Sequence, residues 1–99
     1  MVALRSAAGR YKEGTLGEVN KDTIKALIEF VATSLVDDKR SVKVKEAAKE
    51  NYIVMELSVG SEDLGKVIGK NGQTARAIRT IVNAAASKAG EKIIFEIKE

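Results

Sequence analysis

Cysteine and histidine are both missing from the 99 residues. With them go thiolate nucleophiles, disulfides, Cys/His zinc sites, haem ligation and any triad that runs through an imidazole. The carboxylates that remain could bind Mg²⁺ or move protons, but they are scattered at ordinary surface spacing. No cluster stands out, so no catalytic residue, metal or cofactor is assigned and the chain is read as not an enzyme. Proline and tryptophan are absent too, and no proline-rich linker divides the sequence. The four aromatics, Tyr11, Phe30, Tyr52 and Phe95, are too few and too dispersed for a stacking platform. Phe30 and Phe95 are read as packing residues. No run approaches the roughly 18–20 apolar residues of a membrane span. The opening Met1–Leu4 is cut short by Arg5, too early for a signal-peptide core. The expectation is a cytoplasmic protein.

What is present describes a small folded domain. Hydrophobic residues make up 44% and charged ones 31%, the balance of a globular chain and not of a disordered one. A domain this short buries only about 60–65% of its unfolded surface, which leaves room for one core and none for an internal reaction chamber. Function should therefore sit on the outside. The net charge is +3, and its distribution is uneven: residues 61–82 carry four basic and two acidic side chains, whereas 23–60 and 83–99 each balance to zero.

Residues 1–21 contain Gly9, Gly14 and Gly17 among scattered charges and keep neither helical nor strand period. They read as a flexible N-terminal arm, with the folded domain over 22–99. Asn20 or Asp22 can cap a helix whose apolar stripe is Ile24, Leu27, Ile28, Val31 and Leu35. Asp37-Asp38-Lys39-Arg40 ends it. Val42 and Val44 alternate with lysines as a short strand, Lys49-Glu50-Asn51 turns the chain, and Tyr52–Val59 places Ile53, Met55, Leu57 and Val59 on one face. Ser61 followed by Glu62 and Asp63 reads as the start of a short helix, with Leu64, Val67 and Ile68 inside it. After Gly69 and Gly72 a longer helix from Gln73 carries Ile78, Ile81, Val82, Ala85 and Ala89, and Gly90 caps it. Ile93, Phe95 and Ile97 form the last strand. Some 30 residues separate this strand from the second, so the two should pair in parallel through a right-handed helical crossover. The predicted fold is α+β, in the order α-β-β-α-α-β, with a three-stranded mixed sheet and three helices on one face.

The chemistry falls on Leu64-Gly65-Lys66-Val67-Ile68-Gly69-Lys70-Asn71-Gly72-Gln73. This is not a P-loop: three residues, not four, separate Gly65 from Gly69, and Asn71 stands where a Mg²⁺-binding hydroxyl is needed. A dinucleotide fingerprint would need glycine where Val67 stands. What fits is G-x-x-G between two helices. Glycine permits the tight turn and lets a phosphodiester approach the main chain, and the amides opening the next helix favour an anion. Lys70 would sit at the tip, with Lys66 and Arg76 flanking it. Gly65, inside the short helix, is expected to allow close packing against a neighbouring helix, since glycine there costs about 1 kcal/mol relative to alanine.

This motif, in this order of elements, resembles the KH family of RNA-binding domains in its type II, bacterial form. The likeness is closer still to the small single-KH family KhpA. It covers roughly residues 22–98 and is carried by Glu62–Gly72 and Ala77-Ile78-Arg79-Thr80. Many KH domains have isoleucine where this chain has Ala75. The resemblance implies a non-catalytic binder of single-stranded RNA, an RNA chaperone or post-transcriptional regulator, that clamps about four nucleotides of backbone. Lys66, Val67, Ile68, Gly69, Lys70, Asn71, Gly72, Arg76 and Arg79 would be its RNA-binding residues. Val67, Ile68 and Ile78 are core residues first, some of which would also wall a base-binding groove. An alternative is also implied: a protein-interaction module that forms a homodimer or pairs with a larger KH-containing partner of the KhpB/Jag/EloR kind, acting in cell elongation and envelope growth.

Overall fold

The computed structural model describes residues 19–98. Residues 1–18 of the expected arm lie outside the described residues. Helix α1 spans Lys21–Leu35, β1 Lys43–Ala48, β2 Ile53–Ser58, α2 Leu64–Ile68, α3 Gln73–Ala89 and β3 Ile93–Lys98, with single 3-10 turns at Lys39–Ser41 and Lys70–Gly72. The sheet order is β1-β2-β3, antiparallel then parallel. This is the mixed α+β fold that the sequence predicts.

Asn20, not Asp22, caps α1. Its Oδ1 accepts the N–H groups of Asp22 at 2.9 Å and Thr23 at 3.1 Å, while Thr23 Oγ1 accepts the Asn20 N–H at 2.8 Å. This reciprocal box satisfies donors that a helix start otherwise leaves open. Val19, just before it, packs against the core. Ile24, Ile28 and Ala32 are buried along the inner face, whereas Leu35 is partly exposed. Phe30 corrects the sequence reading: it is 69% exposed. Two residues beyond Ile28 at about 100° per residue, it points away from the sheet.

In the sheet, Val44 pairs with Leu57, and Met55 with Phe95. All four are buried and meet Ile78, Val82 and Ala86 of α3 together with the inner face of α1. The helices lie on this one face. Ile81, expected on the same stripe of α3, is instead 47% exposed. Gly90 ends α3 in the left-handed region, φ 73°. Its amide and that of Glu91 fold back onto Ser87 and Ala86, as a glycine-terminated helix requires. Among the described residues no helix is long and apolar enough to cross a membrane.

Candidate RNA-binding turn

The entry to α2 departs from the sequence reading. Ser61 does not cap it; Ser61–Asp63 form a turn closed by Asp63 N–H on Gly60 O at 2.9 Å, and the helix starts at Leu64 with Asp63 at the N-cap. The Asp63 carboxylate does not cap its own helix either. It accepts the backbone N–H groups of Asp38 at 3.1 Å and Asp37 at 3.2 Å, beyond the end of α1. Lys66 donates to it at 3.2 Å and also pairs with the Asp37 carboxylate. Asp63 is only 4% exposed, and these donors, led by the Asp38 amide, hold its carboxyl below the usual carboxylate value against the opposing effect of burial. The Asp37 carboxylate, then that of Asp63, raises the Lys66 ammonium above its ordinary value.

Helix α2 ends at Gly69, whose φ of 78° and ψ of 170° belong to a region that is essentially glycine's alone. Space forbids a side chain as well: a Cβ there would overlap Thr74, standing 2.7 Å from its Cβ and 2.8 Å from its amide nitrogen. The turn therefore folds tightly onto the first residues of α3. Asn71 follows in the left-handed region, φ 55°, which asparagine tolerates better than most residues. Gly72, φ 73°, is left-handed too. A Cβ at Gly72 would meet only the Arg76 guanidinium, at 3.9 Å, so its glycine serves the backbone angle and not packing.

Gly72 N–H donates to Gly69 O at 3.1 Å and the Gln73 amide to Lys70 O. Two of the amides that the sequence reading left open for an anion are thus taken by carbonyls. What the turn presents outward is Lys70 and Asn71, both exposed. Arg76 Nη2 lies 3.4 Å from Asn71 O, the outer edge of hydrogen-bonding distance, and so flanks the turn.

The structure thus brings Gly69, Lys70, Asn71, Gly72 and Arg76 together. Val67 is fully buried beneath them and Ile68 half-buried. Lys66 is turned toward the loop after α1. Arg79 leans toward β3, its guanidinium carbon 6.0 Å from the centre of the Phe95 ring, close enough for a weak cation–π contact. Gly65 is corrected: nothing lies within 4 Å of where its Cβ would stand, so it permits no close helix packing. Asp63 and Thr74 are the residues that sequence reasoning missed. The one signal for Asp63 was a lysine three positions on, at Lys66. Among the described residues no group of carboxylates is placed to hold a metal ion.

A three-stranded mixed sheet covered on one face by helices, with a Gly-x-x-Gly turn joining the second helix to the third, defines a KH domain of type II. The family model described as "KhpA/KhpB, KH domain" matches residues 25–97, and the chain belongs to that family. It is 51% identical over 74 residues to the RNA-binding protein KhpA of Clostridium perfringens, a match that covers 75% of this chain and 99% of that protein. To the RNA-binding protein KhpA of Aquifex aeolicus it is 46% identical over 76 residues, 77% of this chain and 96% of the relative. To that of Chlamydia trachomatis it is 40% identical, again over 76 residues, with 77% and 97% covered. No solved structure matches the chain.

Proposed function

We propose that this chain is a non-catalytic, cytoplasmic binder of single-stranded RNA, an RNA chaperone or post-transcriptional regulator, that seats the RNA backbone against the Gly69–Gly72 turn. The observation that carries the reading is the turn itself. Gly69 occupies a glycine-only conformation with no room for a side chain, and the exposed Lys70 and Asn71 stand just beyond it with Arg76 beside them. Bare backbone lets a phosphodiester come close, and the two cations neutralise it. The RNA-binding names of the relatives point the same way. Few phosphates can be reached from one such turn, so affinity is modest and falls with salt at a log–log slope of about −0.7 per contact. Titrating a short single-stranded RNA and a duplex of equal length at three salt concentrations tests this. Single strand is expected to bind more tightly, and equal affinity for the two would remove the groove reading.

Phe30 at 69% exposure and Ile81 at 47% favour a second reading, in which the domain pairs with its own copy or with a KhpB/Jag/EloR-like protein and acts in cell elongation and envelope growth. Large exposed apolar side chains are common at such interfaces. Pairing would also raise RNA affinity by linking two weak clamps. The mass in solution with and without RNA separates the two readings.

A further inference from the structure

Helix α2 has five residues, a length at which a helix does not hold itself together in water. It buries one side chain fully, Val67. Its far end leads straight into the Gly69–Gly72 turn, whose other end folds onto Thr74 of α3, so the direction in which the turn faces depends on what fixes α2 as well as on α3. Val67 and the junction with Thr74 hold the helix at its turn end; a second hold at the other end limits its tilt. That second hold is at the opposite end of the helix, where the buried Asp63 carboxylate binds the amides of Asp37 and Asp38 and receives Lys66, which reaches on to Asp37. A loop some 25 residues earlier in the chain is thereby fastened to the first turn of α2.

We infer that Asp63, Lys66 and Asp37 form a latch that positions the turn for RNA, and that Lys66 acts through this latch and not as a phosphate contact; the inference rests on the RNA-binding reading above. Asp63 is a positioning residue in this scheme. An asparagine in its place would keep one acceptor oxygen but offer an NH₂ group to a backbone N–H, two donors face to face. The loop after α1 would lose its hold on α2 while the core under Val67 stayed in place.

Charge makes the test one of sign. Asp63→Asn and Asp37→Asn each remove one negative charge at the far end of α2 and raise the net charge by one unit, and Coulomb attraction alone would then tighten RNA binding. Loss of position weakens it. Binding of a short fluorescent single-stranded RNA to the full chain is measured at one salt concentration for the wild type, both variants, Lys66→Met and the double variant Asp63→Asn/Lys66→Met, with amide exchange of Gly69, Gly72 and Gln73 followed in the same samples without RNA. The expected result is a loss of about fivefold or more for Asp63→Asn and a smaller loss for Asp37→Asn. Turn amides should exchange faster while those of β2 keep their protection. Adding Lys66→Met to Asp63→Asn should weaken binding little further, because the latch is already open.

Equal or tighter binding by folded Asp63→Asn, unchanged exchange in the turn, or a Lys66→Met effect that simply adds overturns the latch. Should Asp63→Asn fail to fold, Asp37→Asn carries the test with the same sign, since its side chain is 87% exposed. A wild-type chain that binds no RNA removes the underlying reading and the inference with it. Binding by the wild type that survives in the variants removes the latch alone.

Discussion

Gly65 and Gly69 are four residues apart, and they are glycine for opposite reasons. Gly69 is fixed by the fold, through a backbone conformation closed to other residues and a Cβ position already filled by Thr74. Alanine there would store strain of about 1–3 kcal/mol or force the turn to open. Gly65 sits within α2 with free space where its Cβ would be, and nothing in the fold requires glycine at that position. Alanine should therefore stabilise the domain by about 0.5–1 kcal/mol, through helix propensity and a less flexible unfolded chain. Urea unfolding of the two single variants checks both signs: the midpoint should rise for Gly65→Ala and fall for Gly69→Ala. A drop for Gly65→Ala would mean that α2 bends or packs in a way that the free space denies.

At the scale of elements, α2 depends on charges whose effect varies with pH. The Asp63 carboxyl lies below its ordinary 3.8, so the stability it contributes is complete above that value and is lost as pH falls through the lowered one. Lys66 lies above its ordinary 10.5, so its share is complete below that value and disappears as pH rises through the raised one. Both contributions are present at neutral pH. Urea midpoints at pH 7 and pH 3 should fall more steeply for the wild type than for Asp63→Asn, and equal falls would show that the contact is not linked to folding. The same elements show what a sequence can reveal. The three strands, α1, α3 and the Gly90 cap were legible because each rests on local rules: period two, period 3.6, and a glycine that ends a helix. The Gly69–Gly72 turn was legible because its spacing is local too. Phe30 was misread because it was assigned by residue type and not by position: it lies off the stripe of Ile24, Leu27, Ile28, Val31 and Leu35, about 200° round the helix from Ile28. Ser61 and Asp63 were misread because acids near a helix start normally serve that helix, and the competing donors, on Asp37 and Asp38, come from a segment that only the folded chain brings near.

For the whole molecule, position must be separated from charge, because a protein of net charge +3 attracts RNA everywhere to some degree. Replacing Lys70 and Asn71 together with aspartate tests position. Both are exposed, aspartate tolerates the left-handed backbone of Asn71, and the turn glycines stay in place, so the fold should survive. The change takes the net charge from +3 to zero and sets two carboxylates where, on the proposed reading, a phosphate approaches. A control needs the same three units removed far from the turn. Lys39 and Arg40 are unsuitable, because they follow the loop that Asp63 ties to α2. Lys49, Lys88 and Lys92 are better placed, since Lys49 and Lys92 border one groove at the hairpin end of the sheet and Lys88 lies in the last turn of α3. That helix begins at the turn and runs for 17 residues, so its far end is about 25 Å away, about three screening lengths at physiological salt. With all three control lysines changed to glutamine, RNA binding should weaken only slightly. The paired aspartates should weaken it at least tenfold, about 1.4 kcal/mol, with thermal midpoints close to wild type in both proteins. A control that loses as much affinity as the paired aspartates would show that RNA is held by diffuse charge and not by the turn between α2 and α3.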